Sequence, residues 1–492
     1  MKFYPSKEGF IEKAKEGNLI PVYCEILADC ETPVSALQKL DSGQYAFLLE
    51  SVEGGEKIGR YSFVGVEPSI IFKSKGQEVE VIYQTGAEVI RTKKNPLLIL
   101  RDILDRYKPV MDSKLSPFFG GAVGYIGYDM VRFFEEIPDK NPDELNVPDS
   151  FFMITDSILI FDNVLNTIKI VCNAHITNSI ENAYANAINK IELFLERLES
   201  PIIASFKETA ITKEIPIQSN FKKENFESAV EKCKEYIKAG DIFQVVISQR
   251  FGCEVQSDGF DLYRALRYIN PSPYMFYLKY GDLRIIGSSP ELLIKVKDNN
   301  IQLRPIAGTR RRGVNSTDDD KLIKDLLSDE KEKAEHLMLV DLGRNDVGRV
   351  SEIGSVKVDE FMAIEKYSHV IHIVSNIIGK LDKQYDCFDA LMSAFPAGTL
   401  TGAPKIRAME IIDEIEPTKR GPYGGCVGYF SYDKNLDSCI TIRTIVMIGK
   451  TAYIQAGAGI VADSVPEREF EETVNKAKGM FKAIELAEGA LE

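Results

Sequence analysis

The sequence has 492 residues, of which 44% are hydrophobic, and a formal net charge of −14. Its length and composition are those of a globular protein with enough apolar residues for two or more domains. The acidic balance argues against general nucleic-acid binding, and an anionic substrate would need a local cluster of cations or a metal ion.

The first region of the chain, 1–198, is predicted to be rich in strands. Residues 1–18 and 33–41 have the pattern of short helices, and longer helices are predicted at 96–107 and 179–198. Nothing in the region indicates catalysis. The strands are predicted at 20–28, 45–52, 61–66, 70–73, 79–83, 120–129, 152–162 and 167–173.

Residues 199–224 carry Pro, Ser, Thr and Lys without a clear period, and we predict that they link 1–198 to a second region, 225–492. That region opens with an amphipathic helix at 226–239, which Gly240 ends. Further helices are predicted at 329–342, 405–415 and 469–476. Strands are predicted at 242–250, 275–280, 283–286, 292–296, 368–381, 426–432, 440–446 and 451–455.

Two segments of the chain resemble each other. GGAVGYIGYD at 120–129 and GGCVGYFSYD at 424–433 agree at seven of ten positions, and a G-x-x-P motif lies upstream of each. We hypothesise two halves with a related sheet layout; the alternative is two Gly-rich strands alike by chance. In the repeat, Ser69 takes the place of Glu291, so only the second copy carries an acid.

Two predicted helices each carry a pair of carboxylates on one face. Glu332 and Glu335 are three residues apart, as are Glu469 and Glu472. Together they suit Mg²⁺, which takes oxygen ligands and few protein carboxylates; each pair alone is more often a solvated helix face. His336 does not form the H-E-x-x-H pattern, so zinc is discounted.

Other motifs could hold an anion. The segment 398–404 is a Gly/Thr-rich turn before a helix, and 304–311 combines Gly-Thr with arginines. Arg443 lies amid apolar residues of a predicted strand, where it either binds a substrate carboxylate or forms a structural salt bridge. His369 and His372 lie on one strand with opposite orientations, and a histidine is the best candidate for proton transfer.

Eight cysteines are scattered without C-x-x-C spacing, so we predict reduced thiols and neither a zinc site nor a redox motif. The first dozen residues include charged side chains and no apolar signal-peptide core, and no run of 18 apolar residues occurs. We therefore expect neither secretion nor a membrane span, and predict a cytoplasmic protein.

Taken together, the motifs of the second region resemble those of the chorismate-utilising enzyme family. RPIAGTRRRG, DEKEKAEHLMLVDLGRNDVGRV, SHVIHIVSNIIGKL, FPAGTLTGAPKIRAMEIIDEIEPTKRGPYGGCVGY, IRT and QAGAGIVADSVPEREFEET follow in order over about 226–485. LLES at 48–51, RYSFVG and PSPYMFY at 271–277 resemble the tryptophan-binding region of the anthranilate synthase component I group within that family. The resemblance and the strand-rich pattern imply an α/β fold of the α+β type, with layered, mainly antiparallel sheets and helices outside.

The resemblance implies roles for residues of this chain. Mg²⁺ would be held by Glu335 and Glu472, with Glu332 and Glu469 in support. Glu291 would be the general acid and His372 the base. The remaining pocket residues implied are Gly308, Thr309, Thr399, Tyr423, Arg443, Gly457, Ala458, Gly459 and Lys476.

The resemblance also implies an allosteric site for L-tryptophan. It would be formed by Glu50, Ser51, Pro273, Tyr274 and Met275, from both regions of the chain. Binding there would inhibit the enzyme by feedback, at the first step of tryptophan biosynthesis.

Within the family, Ala307 replaces the lysine of members that use water or a lysine nucleophile. It resembles the enzymes that convert chorismate and ammonia to anthranilate and pyruvate. Aminodeoxychorismate synthase component I, isochorismate or salicylate synthase, and a non-catalytic tryptophan-binding subunit are the alternatives. A separate glutamine amidotransferase subunit would supply the ammonia, in a heterotetramer expected from the family alone.

Overall fold

The computed structural model describes residues 1–52, 59–202, 215–366 and 370–489. Over these residues the chain forms two large antiparallel sheets that pack face to face, with helices outside. The predicted α/β fold of the α+β type, with layered antiparallel sheets, is confirmed. No helix in the described ranges is long and apolar enough to cross a membrane.

The helices differ widely in length, from a single turn to six turns. In chain order they are α1 (Lys7–Lys13), α2 (Pro33–Leu40), α3 (Leu97–Leu104), α4 (Ile180–Leu198), α5 (Lys223–Ala239), α6 (Gly259–Ile269), α7 (Ser316–Ser328), α8 (Glu330–Gly348), α9 (Cys387–Ala394), α10 (Gly398–Thr401), α11 (Lys405–Ile415) and α12 (Pro466–Ala487). A 3₁₀ helix spans Tyr128–Phe133.

The strands fall into two sheets. The first sheet has the order β1 (Leu19–Leu27), β10 (Thr167–His175), β9 (Ser157–Asp162), β3 (Tyr61–Val66), β2 (Tyr45–Glu50), β13 (Tyr274–Tyr280), β14 (Leu283–Ser289), β23 (Thr444–Ile448), β24 (Thr451–Ile460), β12 (Gln244–Glu254) and β11 (Gln218–Ser219), and β20 (Gly402–Ala403) also pairs with β12. The second sheet has the order β17 (Ile306–Arg311), β19 (Val370–Lys380), β16 (Asn300–Leu303), β15 (Leu292–Lys297), β22 (Leu436–Ile440), β21 (Cys426–Ser431), β7 (Gly121–Ile126), β8 (Ser150–Thr155), β4 (Ile70–Lys75), β5 (Glu78–Tyr83) and β6 (Gly86–Arg91), and β18 (Lys357–Lys366) pairs with β19.

Aromatic side chains fill the space between the sheets. Phe63 of the first sheet packs edge-on against Phe118 and Tyr429, whose rings stack 4.2 Å apart. Phe388 of α9 stacks on Phe430 at 4.1 Å. Burying one such ring contributes roughly 1.5–3 kcal/mol, so the inner faces are a main source of stability.

The outer face of the first sheet is covered by helices. On β2, Phe47 faces the interior between the sheets, while Ala46 and Leu48 join the cluster under the helices. This alternation is what a strand buried on both faces requires. The helices that contribute to that outer cluster are α1, α2, α4, α6 and α12.

Two predicted strands are each divided where the chain crosses from one sheet to the other. The strand predicted at 152–162 is interrupted at Asp156, between β8 and β9. The strand predicted at 440–446 is interrupted between β22 and β23, where Arg443 has a φ of 51°. A continuous apolar run in the sequence does not reveal such a crossing, because the strands on both sides of it consist of buried apolar residues. The helix predicted at 1–18 is also shorter and starts after Ser6, which caps it.

The similar segments occupy equivalent places in the fold. Gly124 and Gly428, each the fifth residue of its motif, lie directly opposite each other on the paired strands β7 and β21. Their neighbours interchange, since Val123 faces Tyr429 and Tyr125 faces Val427. The pairing is therefore locally two-fold, as the repeat hypothesis requires.

The G-x-x-P motifs upstream of the two similar segments also occupy equivalent places in the two halves. An added Cβ on Gly65 would lie 2.2 Å from the Phe47 ring, and one on Gly287 would lie 2.0 Å from the Phe276 ring. In both halves a motif glycine thus leaves room for a phenylalanine on the adjacent strand, β2 or β13.

The predicted regions 1–198 and 225–492 share both sheets. Strand β2 pairs with β13 in the first sheet, and β7 pairs with β21 in the second. Within the predicted linker, residues 203–214 lie outside the described residues, and the region boundaries stay a prediction.

Candidate active site

A cavity of about 590 Å³ opens beside the ends of β12 and β24. Strands β17 and β19 and helices α8, α10 and α12 form its other walls. The predicted site residues that line it are Glu291, Gly308, Thr309, Glu332, Glu335, His372, Thr399, Tyr423, Arg443, Gly457, Gly459, Glu469, Glu472 and Lys476.

Ala458 is the predicted site residue whose side chain faces away from this cavity. Its methyl group is fully buried in the cluster that α5 and α11 form against β12 and β24. Gly457 and Gly459, its neighbours on β24, face the cavity because strand side chains alternate. Ala458 can therefore contribute only backbone atoms, as expected for this segment.

Glu291 lies in the connection between β14 and β15 and is 8% exposed. The Thr399 hydroxyl donates a hydrogen bond of 3.1 Å to its Oε1. Burial raises the pKa of Glu291 to about 8, although the Thr399 hydrogen bond and the Lys476 charge oppose the rise. The carboxyl group is thus protonated at neutral pH and can donate a proton.

His372 lies on β19 with its Nδ1 2.9 Å from the Gly308 carbonyl oxygen and 3.1 Å from the Thr309 hydroxyl. A carbonyl accepts a hydrogen bond, so Nδ1 carries the proton and Nε2 is the basic nitrogen. Burial lowers the pKa of His372, which keeps the ring neutral and basic near pH 7. His369 lies outside the described residues.

Helix α8 carries Glu332 and Glu335 into the cavity. Its N-cap, Asp329, accepts hydrogen bonds from the backbone amides of Lys331 and Glu332 and so fixes the first turn. Arg310 Nη1 donates to Glu332 at 3.1 Å, and Gln244 Nε2 donates to Glu335 at 3.1 Å. Burial raises the pKa of Glu332, and the adjacent charge of Glu335 adds to the rise.

Helix α12 brings the second acidic pair. Glu472 forms an ion pair of 2.7 Å with Lys476, one turn further along the helix. Burial raises the pKa of Glu469, and the charge of Glu472 adds to it. The two pairs line one cavity, but no three acidic, histidine or cysteine side chains in the described ranges cluster tightly enough to form a metal site by themselves.

The cationic side of the cavity is held by backbone groups. Lys476 Nζ donates to the Gly457 carbonyl at 3.0 Å, and Arg443 Nη1 donates to the carbonyl of Lys476. Burial lowers the pKa of Arg443, which lies in the crossing between the sheets and not on a strand as predicted. The Tyr423 hydroxyl is so close to Gly457 that a Cβ there would come within 2.9 Å of it.

Gln244 and Val246 of β12 and Met480 of α12 line the cavity but lie outside the sequence motifs. For Gln244 the sequence signal was a polar residue within an apolar strand. That signal is weak, because the same pattern is common in buried strands with satisfied amides.

A second cavity of about 370 Å³ lies between the two sheets. Its lining includes all five residues predicted for the tryptophan site, Glu50, Ser51, Pro273, Tyr274 and Met275. Pro290 and Ile306 line both cavities, so a single wall separates them.

Glu50 is 6% exposed at the edge of this second cavity. Arg267 of α6 donates to it from Nε at 3.0 Å and from Nη2 at 3.3 Å, and the Tyr263 hydroxyl also donates to it. Neither partner was predicted from the sequence.

Known proteins resemble this chain over its whole length. A sequence profile of the chorismate binding enzyme family matches residues 47–482. The chain is 49% identical over 490 residues to anthranilate synthase component 1 of Acetivibrio thermocellus, with 99% of both chains covered. It is similar to anthranilate synthase component I from Streptococcus pneumoniae TIGR4 at a TM-score of 0.78 and 39% identity, which covers 92% of this chain and 98% of that one.

The fold is also shared with a more distant enzyme. The isochorismate synthase MenF from Escherichia coli matches at a TM-score of 0.71 and 19% identity, over 97% of this chain and 99% of that one. The family match and the full-length identity, together with the arrangement of the cavity residues, show that the chain belongs to the chorismate binding enzyme family, in its anthranilate synthase component 1 group.

Proposed function

We propose that the chain converts chorismate and ammonia to anthranilate and pyruvate. The observation that carries this proposal is that a protonated carboxyl, Glu291, and a neutral imidazole, His372, line the same 590 Å³ cavity. A reaction that protonates a leaving group and also removes a proton needs both an acid and a base. The opposite pKa shifts of the two residues supply them.

In this reaction Glu291 protonates the 4-hydroxyl of chorismate, which leaves as water while ammonia forms a bond to C2. His372 then takes the proton from C2 as the bond between C3 and the enolpyruvyl oxygen breaks. The departing enolpyruvate takes up a proton at its methylene carbon to become pyruvate, and the ring becomes aromatic. Thr399 orients Glu291 through its hydrogen bond, and the Gly308 carbonyl fixes the tautomer of His372.

Substrate carboxylates would be held by the cationic side of the cavity. Arg443 and Lys476 supply the positive charges, and the Tyr423 hydroxyl and the Gly457–Gly459 backbone supply hydrogen bonds. This arrangement resolves the difficulty of binding a dianion to a protein of net charge −14. Gly308 and Thr309 complete the pocket on the β17 side.

Glu335 and Glu472, supported by Glu332 and Glu469, are the residues that would hold Mg²⁺. The four carboxylates fit a hard divalent cation, because they face one cavity and repulsion within each pair favours a positive charge between them. The ion, when bound, supplies positive charge for a substrate carboxylate.

Ala307, which lines the cavity, supports ammonia as the nucleophile. A lysine at this position would place a competing amine beside the substrate, whereas the alanine methyl leaves room for ammonia. The component 1 name of the relatives implies a second component, and we propose a glutamine amidotransferase subunit that delivers ammonia.

The 370 Å³ cavity is proposed as the L-tryptophan site. Its volume is within the range of small-molecule sites, and residues from both halves of the chain line it. The shared wall of Pro290 and Ile306 gives a bound inhibitor a short route to Glu291, the residue that follows Pro290.

Product identification tests the proposal. The chain is incubated with chorismate, Mg²⁺ and ammonium, with and without L-tryptophan, and the products are separated by chromatography. Anthranilate that decreases when tryptophan is added is the expected result. Aminodeoxychorismate or isochorismate as the only product would contradict the assigned reaction. If tryptophan did not inhibit the reaction at any concentration, that result would contradict the regulatory site.

A further inference from the structure

Directly behind Tyr423 lies a guanidinium group that does not itself line the 590 Å³ cavity. Arg420 is 2% exposed and is among the largest fully buried side chains of the protein. A buried arginine is stable only if its charge is compensated and its donors are satisfied. The partners of Arg420 therefore show what it holds in place.

The guanidinium spans three parts of the chain. Nη1 donates to the Leu400 carbonyl at 2.7 Å, and Nη2 donates to the Val246 carbonyl at 2.7 Å. The group also lies over the Tyr423 ring, 5.6 Å from its centroid, and over the Tyr128 ring at 4.7 Å. The planar fork of arginine can make these contacts together, whereas a lysine ammonium cannot.

Glu416 neutralises Arg420 and extends the contacts to the cavity. It accepts hydrogen bonds from Arg420 Nε at 2.9 Å and Nη2 at 2.6 Å. It also accepts from the backbone amide and the hydroxyl of Ser248, both at 2.8 Å. The Ser248 hydroxyl in turn accepts from Gln455 Nε2 at 2.9 Å, and Gln455 lines the cavity.

Three of the residues that Arg420 contacts are cavity residues. Val246, Leu400 and Tyr423 all line the cavity, each from a different segment. Leu400 follows Thr399, whose hydroxyl donates to Glu291. A shift of Arg420 would therefore move the tyrosine that we assign to substrate binding and the threonine that orients the proposed acid.

We propose that Arg420 is a positioning residue for the reaction: it sets the Tyr423 ring against the substrate and, through the Leu400 carbonyl, the Thr399 hydroxyl against Glu291. The proposal rests on the function proposed above. It assigns no contact between Arg420 and the substrate, and its effects are transmitted by Tyr423 and Thr399.

The test is the Arg420→Lys variant, which keeps the charge beside Glu416 but loses the fork. We expect the KM for chorismate to rise by about 10-fold or more, because small displacements of binding groups have large kinetic effects. The alkaline limb of the kcat–pH profile should also move to higher pH, since a lengthened Thr399 hydrogen bond stabilises ionised Glu291 less. Steady-state kinetics and a pH series measure both effects.

Arg407→Lys is the matched control. Arg407 lies on α11, is partly exposed and pairs with Asp241 and Glu410 away from the cavity. Its replacement should leave KM and the pH profile unchanged. A purely structural role for Arg420 would lower the Tm of Arg420→Lys and leave KM and the pH profile as in the wild type, and that result would overturn the proposal.

A second variant covers the case in which Arg420→Lys does not fold. Ser248→Ala removes one hydrogen bond to Glu416 and the link to Gln455, and it creates little void. We expect KM to rise by about 3-fold or more, which corresponds to the free energy of one modest hydrogen bond. An unchanged KM in folded Ser248→Ala would overturn the proposal. Failure of the proposed function is distinguishable, because the wild-type chain would then form no anthranilate.

Discussion

Glu291 and His372 have pKa shifts of opposite sign, although burial is the main cause of both. Burial disfavours a charged group, which is the ionised form of a carboxyl and the protonated form of an imidazole. At a pH between the lowered pKa of His372 and the pKa of about 8 of Glu291, His372 is neutral and can act as a base. Glu291 is protonated in the same pH range and can act as an acid. The proposed reaction is therefore expected to have a bell-shaped pH dependence.

The pH dependence gives a prediction for Glu291. Turnover should fall as the pH rises through about 8, because the proton that Glu291 donates is then lost. In Glu291→Gln the alkaline limb should disappear, and kcat should drop by about 10²–10⁴-fold. Anthranilate fluorescence from acidic to alkaline pH measures both effects. Glu410→Gln, at a carboxylate on α11 that pairs with Arg407, is the control. An alkaline limb that persists in Glu291→Gln would contradict the assignment.

Glu335 provides a separate prediction about the metal. Glu335→Gln should abolish turnover and weaken Mg²⁺ binding, since an amide oxygen is a poorer ligand than a carboxylate. Mg²⁺ titration monitored by calorimetry with bound chorismate, and turnover at saturating Mg²⁺, measure the two effects. Glu330→Gln, at an exposed carboxylate on the same helix, should change neither. Full activity of Glu335→Gln would refute the metal assignment.

At the scale of elements, helix α6 contacts Glu50 of the smaller cavity and helix α12 of the larger one. Its residues Tyr263 and Arg267 donate to Glu50 at the smaller cavity. The helix packs against α12, and both contribute buried side chains to one apolar cluster. Because α12 carries Glu469, Glu472 and Lys476 into the larger cavity, a displacement of Glu50 has a rigid path to the proposed catalytic site.

This path predicts the behaviour of Arg267→Met. The variant should keep its kcat without tryptophan, but saturating L-tryptophan should inhibit it several-fold less, because only the Tyr263 hydrogen bond then links Glu50 to α6. Calorimetry measures tryptophan binding, and anthranilate formation measures inhibition, so binding and transmission are separated.

Arg264→Met is the control for that variant. Arg264 lies on the same helix, is half exposed and pairs with Asp261 within the helix. It should be inhibited like the wild type. Inhibition of Arg267→Met that equals the wild type at full tryptophan occupancy would exclude α6 as the path.

At the scale of the whole molecule, the two halves are held together by shared sheets. The β2–β13 and β7–β21 pairs join residues far apart in the chain. A partly buried ion pair of 2.5 Å between Arg132 and Asp413 adds a further contact between the halves. Neither half alone could pair the edges that the other half covers.

The shared sheets predict a single unfolding unit. Differential scanning calorimetry of the intact chain should show one cooperative transition. Residues 225–492 expressed alone should lack a cooperative transition, because β13 and β21 each lose one of their two partner strands and leave an apolar edge unpaired. Two separate transitions in the intact chain, or a folded 225–492 fragment, would contradict this prediction. Circular dichroism of the fragment provides the second measurement.

Much of the cavity could be predicted because its residues lie in motifs with fixed local geometry. The spacing of Glu332 and Glu335 places both on one helix face, and the glycines of 457–459 mark a close backbone approach. These features depend on neighbours within a few residues, so the sequence by itself determined them.

The tertiary structure alone decided the remaining features. It placed the crossing between the sheets at Arg443, opposed Gly124 to Gly428, and brought Arg267 to Glu50 and Arg420 to the Leu400 carbonyl. Each depends on pairing or burial between residues that are distant in the chain. Local propensity carries no information on which distant donor will satisfy a buried group, because that choice is made when the two sheets close on a common core.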